Sequence, residues 1–410
     1  MNSASQRIQR IYLFLLLLNT LAASFIWGIN TLFLLDAGLT NTQAFAANAF
    51  FTAGEVIFEV PTGVVADTRG RRISYLLGTL TLAVSTILYL LMWRVAAPFW
   101  AWAVTSGLLG LGFTFFSGAV EAWLADALTF SGYLREGGKL EVVLARGEIV
   151  SGAAMLIGSA AGGVIAQATN LGVPYAVRTA VLVVTFVCAF VLMRDIGFTP
   201  TPAKHPIQEM KNVLRRSIDH GFGNPAVRWV MLAAPFTGGA TMYAFYAMQP
   251  YLLQLYGDPH AYGIAGLAAA AVAGAQIAGG LLVPHLNRIF RQQTSVLLTG
   301  TVVSVVMLAL IGIVPHFWTV IGLFVLWGLM FAALTPVRTA FLNSHIASEE
   351  RATVLSFDSL LGSSGAVVVQ PVLGKVADVW NYPMSYVWSS AIQVMALPFI
   401  WLSHREERGR

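Results

Sequence analysis

The feature that most constrains this chain is a series of long apolar runs that follow one another along its 410 residues. A helix rises about 1.5 Å per residue, so a run of about 20 apolar residues matches the hydrocarbon core of a bilayer. Inside a bilayer every backbone amide needs a partner within its own segment, and a helix supplies one. Only 10% of the residues are charged and 57% are hydrophobic, which is unlike a soluble domain. We therefore expect an all-α membrane protein.

Hydropathy predicts twelve transmembrane helices and a longer connection after the sixth. The approximate spans are 11–35, 42–66, 73–93, 98–126, 143–168, 175–193, 227–253, 261–284, 294–313, 317–343, 353–377 and 382–402. This spacing predicts an N-terminal six-helix bundle over 1–193, a linker over 194–226 and a C-terminal six-helix bundle over 227–410.

The predicted linker contains apolar residues at helical spacing. Ile207, Met210, Val213, Leu214 and Ile218 share one helical face, as in a helix that lies on the inner membrane surface. A solvated linker is the alternative.

The distribution of Lys and Arg predicts the orientation of the chain. If the N-terminus is cytoplasmic, most basic residues lie in cytoplasmic tails and loops, and the loops near Asp36 and Asp258 contain none. Arg94, Arg178 and Lys375 are then at outer helix ends. We expect a multi-pass protein of the bacterial cytoplasmic (inner) membrane with both termini in the cytoplasm. The net charge of +5 reflects this topology, so no nucleic-acid partner is expected.

The two halves share weak sequence similarity. A shift of 217 positions aligns Gly63 with Gly280, Glu59 with Gln276 and Asp126 with Asn343. Because these matches keep the same order along both halves, they favour an internal duplication.

A ten-residue motif between the second and third spans carries the strongest functional signal. It begins at Gly63, which permits close helix approach, and continues through Asp67, Arg69 and Gly70, which permits a tight turn, to Arg71 and Arg72. The motif resembles the loop signature of the major facilitator superfamily, and the span count, linker and repeat extend that resemblance over nearly the whole chain. A basic topogenic loop is the alternative.

The resemblance implies two pseudo-symmetric six-helix bundles and a cytoplasmic gate. In that family the aspartate and arginines of the motif lock the cytoplasmic side in the outward-facing state. Asp67, Arg69, Arg71 and Arg72 match those positions, and Asp126 matches the acidic partner of the motif arginine. The second copy, 280–288, has Pro284 in place of the aspartate, so any lock belongs to the first half.

The fifth span contains a glycine-rich segment from Gly158 to Gly163. It resembles the antiporter signature of the same superfamily, except that Ser159 replaces the proline. The resemblance favours the drug:proton antiporter branch, which includes multidrug and tetracycline efflux proteins. Ordinary packing of small residues between helices is the alternative.

Two acids in the second span are candidates for proton coupling. Glu55 and Glu59 are four residues apart and share one face of a helix. An ionised carboxylate at this depth is costly, so such an acid tends to be protonated, paired or hydrated. A structural role in an ion pair is the alternative.

Further charges near the cytoplasmic ends are candidates for ion pairs. Glu121, Arg146 and Glu148 lie on the fourth and fifth spans, and Arg338 and Asp358 lie at similar depth on the tenth and eleventh. We expect them to act as structural or gating pairs. Substrate binding is the alternative for the first group, and simple snorkelling to the interface is the alternative for the second.

The resemblance also places the first, fourth, seventh and tenth spans around a central cavity. Aromatic, Met and amide side chains on these spans suit amphipathic substrates. The candidates are Trp27, Asn30, Phe113, Phe116, Tyr243, Tyr246, Gln249, Trp327, Met330 and Phe331.

These features favour proton-coupled efflux of small amphipathic compounds by alternating access. The alternatives are a proton- or sodium-coupled importer of a metabolite, an organic-anion exporter, or a receptor without flux. The sequence contains no phosphate-binding loop, zinc motif or nucleophile elbow, so we expect no enzymatic activity, no cofactor and no metal. The expected partners are a small-molecule substrate, protons and the lipid bilayer, and we expect a monomer.

Overall fold

The computed structural model describes residues 3–116, 118–200, 208, 211, 215, 218–290, 292–348 and 350–408. Within these residues the regular secondary structure is helical, which confirms the predicted all-α class. A π-helical turn, Ile218–Phe222, precedes the second half. The α-helices are α1 Ser3–Trp27, α2 Asn30–Asp36, α3 Asn41–Arg69, α4 Arg71–Val95, α5 Phe99–Thr114, α6 Ala119–Phe130, α7 Leu140–Ala168, α8 Gly172–Leu192, α9 Pro225–Tyr256, α10 Tyr262–Ile289, α11 Gln293–Ile313, α12 Phe317–His345, α13 Arg351–Val379, α14 Tyr382–Val394 and α15 Leu397–Arg408.

Eleven helical segments among the described residues are long and apolar enough to cross a membrane. They correspond to eleven of the twelve predicted spans. The twelfth, 227–253, is α9, whose 32 residues exceed the length that a crossing needs. Glycine, proline, tyrosine and glutamine interrupt its apolar residues, so its hydropathy is lower than that of the other spans.

Three of the predicted spans are each built from two helices. The first is interrupted between α1 and α2, the fourth between α5 and α6, and the last between α14 and α15. At the second break Gly118 has a φ of +68°, a conformation that glycine adopts without steric cost. A helix break within a membrane leaves backbone groups that need other partners.

The buried apolar side chains form separate clusters in the two halves of the chain. One cluster consists mainly of residues 8–193 and contains the closely stacked rings of Phe33 and Tyr175, whose centroids are 3.9 Å apart. Two further clusters consist mainly of residues 226–400. The amphipathic face predicted on Ile207, Met210, Val213 and Leu214 lies outside the described residues.

The halves pack against each other through α3 with α13 and through α7 with α10. We call the end of the bundle that carries both termini the terminal face, and the end near residues 36–41 and 379–382 the distal face. At the distal face the Asp378 carboxylate accepts hydrogen bonds from the backbone N–H groups of Asn41 and Thr42, at 2.9 and 2.8 Å. Among the described residues, all hydrogen bonds between the halves lie in the distal part of the bundle.

Candidate functional site

A small cavity, the central cavity, lies where the helices of the first half meet α9. Its volume is ≈ 90 Å³, and its walls combine aromatic rings with amide and guanidinium groups. The lining residues are Ala23, Ile26, Trp27, Asn30, Asn48, Phe51, Tyr89, Leu109, Phe113, Arg178 and Tyr246. Four residues that the sequence predicts for a substrate cavity, Trp27, Asn30, Phe113 and Tyr246, therefore lie together.

Arg178 lies in this cavity, although the sequence predicts it at an outer helix end. It is the seventh residue of α8 and only 3% exposed. Its Nε donates to the Thr86 hydroxyl at 3.2 Å, and within the described part of the chain it forms no ion pair. The sequence does contain a signal for this burial, because Tyr175, Leu182 and Thr185 form the buried stripe of α8 and Arg178 continues that spacing.

A chain of hydrogen bonds leads from α8 to the central cavity. The Tyr175 hydroxyl donates to Oδ1 of Asn30 at 2.9 Å, and Nδ2 of Asn30 donates to Oδ1 of Asn48 at 2.9 Å. Nδ2 of Asn48 is buried and has no hydrogen-bond partner among the described residues. Sequence reasoning missed Asn48, because a single amide in an Ala- and Phe-rich run does not reveal which helix it faces.

A second cavity, the acidic cavity, contains both predicted proton-coupling residues. Its volume is ≈ 290 Å³, and it is lined by Glu55, Glu59, Phe113, Thr114, Phe116, Gly118 and Glu121. Phe113 also lines the central cavity, so the two cavities are adjacent. None of the described residues that line the acidic cavity is a Lys or Arg.

The position of Glu121 corrects one predicted ion-pair group. Glu121 lines the acidic cavity with Glu55 and Glu59 instead of pairing with Arg146. Glu121, Arg146 and Glu148 are all exposed, and in the described structure no ion pair joins them. The reason is that Glu121 lies in the first turn of α6, at the end of that helix away from the loop to α7, where it reaches the acidic cavity.

Other predicted cavity residues lie elsewhere. Tyr243, Gln249 and Trp327 are fully or almost fully buried. Tyr243 bonds to Ser385 and its ring lies 4.8 Å from that of Phe45 in the first half, and Trp327 belongs to the same apolar cluster. Phe116 lines the acidic cavity. Phe331 lines a separate cavity of ≈ 300 Å³ within the second half, and Met330 lines none of these three cavities. Helical periodicity alone does not distinguish a side chain facing a cavity from one facing a neighbouring helix.

Gln249 instead bridges the break between α1 and α2. Its Oε1 accepts a hydrogen bond from the N–H of Thr31 at 2.8 Å, and its Nε2 donates to the carbonyl of Trp27 at 2.9 Å. These are the two groups that would bond to each other in an uninterrupted helix. One side chain of the second half therefore supplies the hydrogen bonds that these two backbone groups of the first half lose at the helix break.

The basic motif forms its described contacts with the first half and with the beginning of the linker. The Arg71 guanidinium pairs with Asp67 at 2.5 Å and its Nε lies 3.9 Å from the Asp126 carboxylate. The N–H of Arg72 donates to Asp195 at 2.8 Å, a partner that sequence reasoning missed because Asp195 lies more than 120 residues away.

The two motif glycines and Arg69 differ in how far their surroundings match the predicted roles. Gly70 has a φ of +109°, as the predicted tight turn requires. Gly63, predicted at a close helix contact, has no atom of a described residue within 4 Å of the position that a Cβ would occupy, so the part of the chain that the structure describes shows no close helix contact there. Arg69 is exposed.

The second predicted ion pair is present in the structure. Nη2 and Nε of Arg338 donate to the two carboxylate oxygens of Asp358 at 2.6 and 2.9 Å. Nη2 also donates to the carbonyl of Val230 at 2.9 Å. The pair therefore joins α12, α13 and α9 within the second half.

The glycine-rich segment of α7 faces two different helices. A Cβ on Gly162 would lie 1.9 Å from the Phe25 carbonyl oxygen of α1, and one on Gly163 would lie 2.7 Å from the Cα of Gly266 on α10. These positions tolerate no side chain. The segment thus supports packing inside the first half and between the halves.

Comparisons with known proteins identify the family. A model of the Major Facilitator Superfamily matches residues 12–366 and, separately, 265–410. No curated protein matches the chain in sequence. Among solved structures, a variant of the nucleoside transporter NupG superposes with a TM-score of 0.78 at 12% identity, covering 96% of this chain and 99% of that one.

Two further structures share the fold. A bacterial homolog of the human lysosomal transporter Spinster, inward-facing and unoccupied, has a TM-score of 0.75 at 12% identity, covering 99% and 98% of the two chains. The human organic anion transporter MFSD10 (TETRAN) has a TM-score of 0.64 at 14% identity, covering 97% and 100%. Identities this low establish the common fold alone, whereas the family model spans most of the sequence. The chain therefore belongs to the Major Facilitator Superfamily and is a membrane transporter rather than an enzyme.

Proposed function

We propose that this transporter is a proton-coupled exporter of small amphipathic compounds, similar to the drug:proton antiporter branch. The observation that carries the proposal is the adjacency of the two cavities, which share Phe113. One cavity is lined by carboxylic acids that can take up protons, and the other has the aromatic walls that suit a substrate.

Glu55 and Glu59 are the proposed proton-coupling residues. An ionised carboxylate is tolerated while the acidic cavity is hydrated, but it is costly once the helices close and exclude water. Protonation removes that cost, so binding of a proton favours closure of the acidic cavity. Phe113 lines both cavities, which gives the protonation state of these acids a route to the substrate site.

The proposed transport cycle moves two bundles, 1–193 and 227–410, around these cavities. We place the terminal face in the cytoplasm of a bacterial cell, with the protein as a monomer in the inner membrane. The described hydrogen bonds between the halves then close the outer side, and substrate enters from the cytoplasm. Residues 63–72 and Asp126 form the proposed cytoplasmic gate, whose described charged contacts involve the first half and Asp195 at the beginning of the linker.

The test is transport by proteoliposomes with an imposed pH gradient. The probes are tetraphenylphosphonium, 3-phenylpropanoate and 3-phenylpropanamide, which are cationic, anionic and neutral amphipathic compounds. We expect the gradient to drive accumulation of at least one probe above the level in protein-free liposomes. The Glu55→Gln/Glu59→Gln variant should lose gradient-driven accumulation but retain exchange of labelled for unlabelled probe.

The matched control is Glu136→Gln, which neutralises an exposed acid in a loop of the terminal face. This control should behave as the wild type. The proposal is wrong if gradient-driven accumulation survives the double substitution, or if none of the three probes is transported.

A further inference from the structure

We propose that the compounds carried by this protein bear a carboxylate, and that Arg178 and Asn48 bind it in the central cavity. This inference rests on the proposed function and deepens it, because it names the chemical class of the substrate and the residues that select it.

The first step is the charge of Arg178. Its side chain is buried inside the first half, and its only hydrogen bond to a described residue is the one from Nε to Thr86. Arginine remains protonated in proteins, and a buried cation without a counter-ion is costly. By contrast, Arg338 is paired with both oxygens of Asp358. The central cavity therefore has a positive charge that the described protein does not neutralise.

The second step is the supply of donors. The terminal nitrogens of Arg178 donate to no described residue, and Nδ2 of Asn48 is a buried donor without a partner. Both residues line the same cavity. A buried donor without an acceptor is rare because it costs free energy, so Nδ2 of Asn48 beside the guanidinium of Arg178 suits an acceptor with negative charge.

The third step is rigidity. The bond to Thr86 holds the guanidinium, and the hydrogen bonds from Tyr175 through Asn30 hold the Asn48 carboxamide. The ring of Tyr175 stacks on Phe33. A site whose donors are already oriented loses little entropy when a ligand binds.

The fourth step is size and direction. A cavity of ≈ 90 Å³ has room for a carboxylate head group, since about 10–15 Å³ of such space holds one water molecule. The acidic cavity beyond Phe113 repels an anion. The apolar body of the substrate, rather than its charge, therefore points toward Phe113 and is covered by aromatic rings.

The test is equilibrium binding to purified protein in nanodiscs, measured by calorimetry at about pH 7, where a carboxylic acid is ionised. The probes are 3-phenylpropanoate, its neutral amide 3-phenylpropanamide, and phenyl phosphate. We expect the wild type to bind the acid at least about tenfold more tightly than the amide, as hydrogen bonds to charged groups imply. Arg178→Gln should remove this preference, and Arg178→Lys should retain part of it.

The matched control is Arg94→Gln, which removes an exposed arginine near the distal face and should keep the preference for the acid. Asn48→Leu should weaken binding of the acid more than binding of the amide. The Glu55→Gln/Glu59→Gln variant should also keep the preference for the acid. The proposal of carboxylate binding and the proposal of proton coupling can therefore be refuted separately.

Equal affinity of the wild type for acid and amide would overturn the inference, and so would an unchanged preference in Arg178→Gln. Tight binding of phenyl phosphate without binding of 3-phenylpropanoate would overturn the assignment of a carboxylate. If Arg178→Gln does not fold, the comparison of acid and amide on the wild type still decides.

Discussion

At the scale of single residues, two arginines with limited exposure illustrate how the partner decides the role of a charge. Arg338 has a bidentate partner in Asp358 and a third bond to Val230, so its charge is used within the second half. Arg178 lacks an acidic partner among the described residues and lines a cavity. The first arginine is therefore a structural element of its bundle, and the second is available to a ligand.

This contrast leads to a prediction about stability. Asp358→Ala leaves the Arg338 cation without its partner, and we expect a loss of about 3–5 kcal/mol. The double variant Arg338→Met/Asp358→Leu should be more stable than the single variant, because it removes both charges. The measurement is reversible denaturation in mixed micelles.

The matched control is the exposed pair Arg215–Asp219, whose atoms are 3.9 Å apart with 85% and 62% of the side chains exposed. Asp219→Ala should cost less than about 1 kcal/mol. If Asp358→Ala is as stable as the wild type, the Arg338–Asp358 pair contributes nothing to the stability of the fold.

At the scale of elements, the break between α1 and α2 shows how a membrane helix can be interrupted. The carbonyl of Trp27 and the N–H of Thr31 are satisfied by the carboxamide of Gln249 on α9. Trp27 also stacks on Phe245 of α9, with ring centroids 4.3 Å apart. The break is thus an interface between the halves, next to the central cavity.

The hydrogen bonds of Gln249 across the helix break predict that its substitution lowers stability. Gln249→Leu leaves a backbone donor and a backbone acceptor buried without partners, and each such group costs about 1–3 kcal/mol. We expect a lower thermal unfolding temperature and slower probe exchange. Gln254→Leu, at an exposed position of the same helix, is the control and should change neither quantity. An unchanged unfolding temperature for Gln249→Leu would contradict the bridging role.

At the scale of the whole molecule, the described hydrogen bonds between the halves lie in its distal part. The Asp378 carboxylate of α13 accepts from both backbone amides at the start of α3, and the Thr42 hydroxyl donates to it as well. Negative charge at a helix N-terminus is favourable, so this contact closes the distal face without a basic residue. An alternating-access cycle has to break it.

Cross-linking tests this requirement. In a Cys188→Ala background, which removes the only cysteine, we expect oxidation of Thr42→Cys/Asp378→Cys to stop probe flux and a reductant to restore it. The control pair Thr20→Cys/Ser151→Cys joins α1 and α7 within the first half, where the hydroxyls are 3.4 Å apart, and its oxidation should leave flux intact. Flux through the oxidised Thr42–Asp378 pair would show that the distal face does not open during transport.

Much of the molecule was predictable from the sequence, because the bilayer restricts what apolar runs can do. Long apolar runs have to be helices, and the glycine, aspartate and arginines of 63–72 identify the superfamily. The Arg71 contact with Asp126 and the Arg338–Asp358 pair join residues that the sequence proposes as partners. These residues lie at matching depths, and depth can be read from position within a span.

The sequence by itself determined the class and the approximate spans, since these depend on segment length and composition. Only the tertiary structure decided which side chains face one another. In the structure Arg178 and Asn48 line the same cavity, and Glu121 lines another cavity with Glu55. Gln249, predicted in the cavity wall, instead bridges a helix break. The physical reason is that the rotation of each helix about its axis is set by packing against its neighbours, and helices that run close together in space are far apart along the chain.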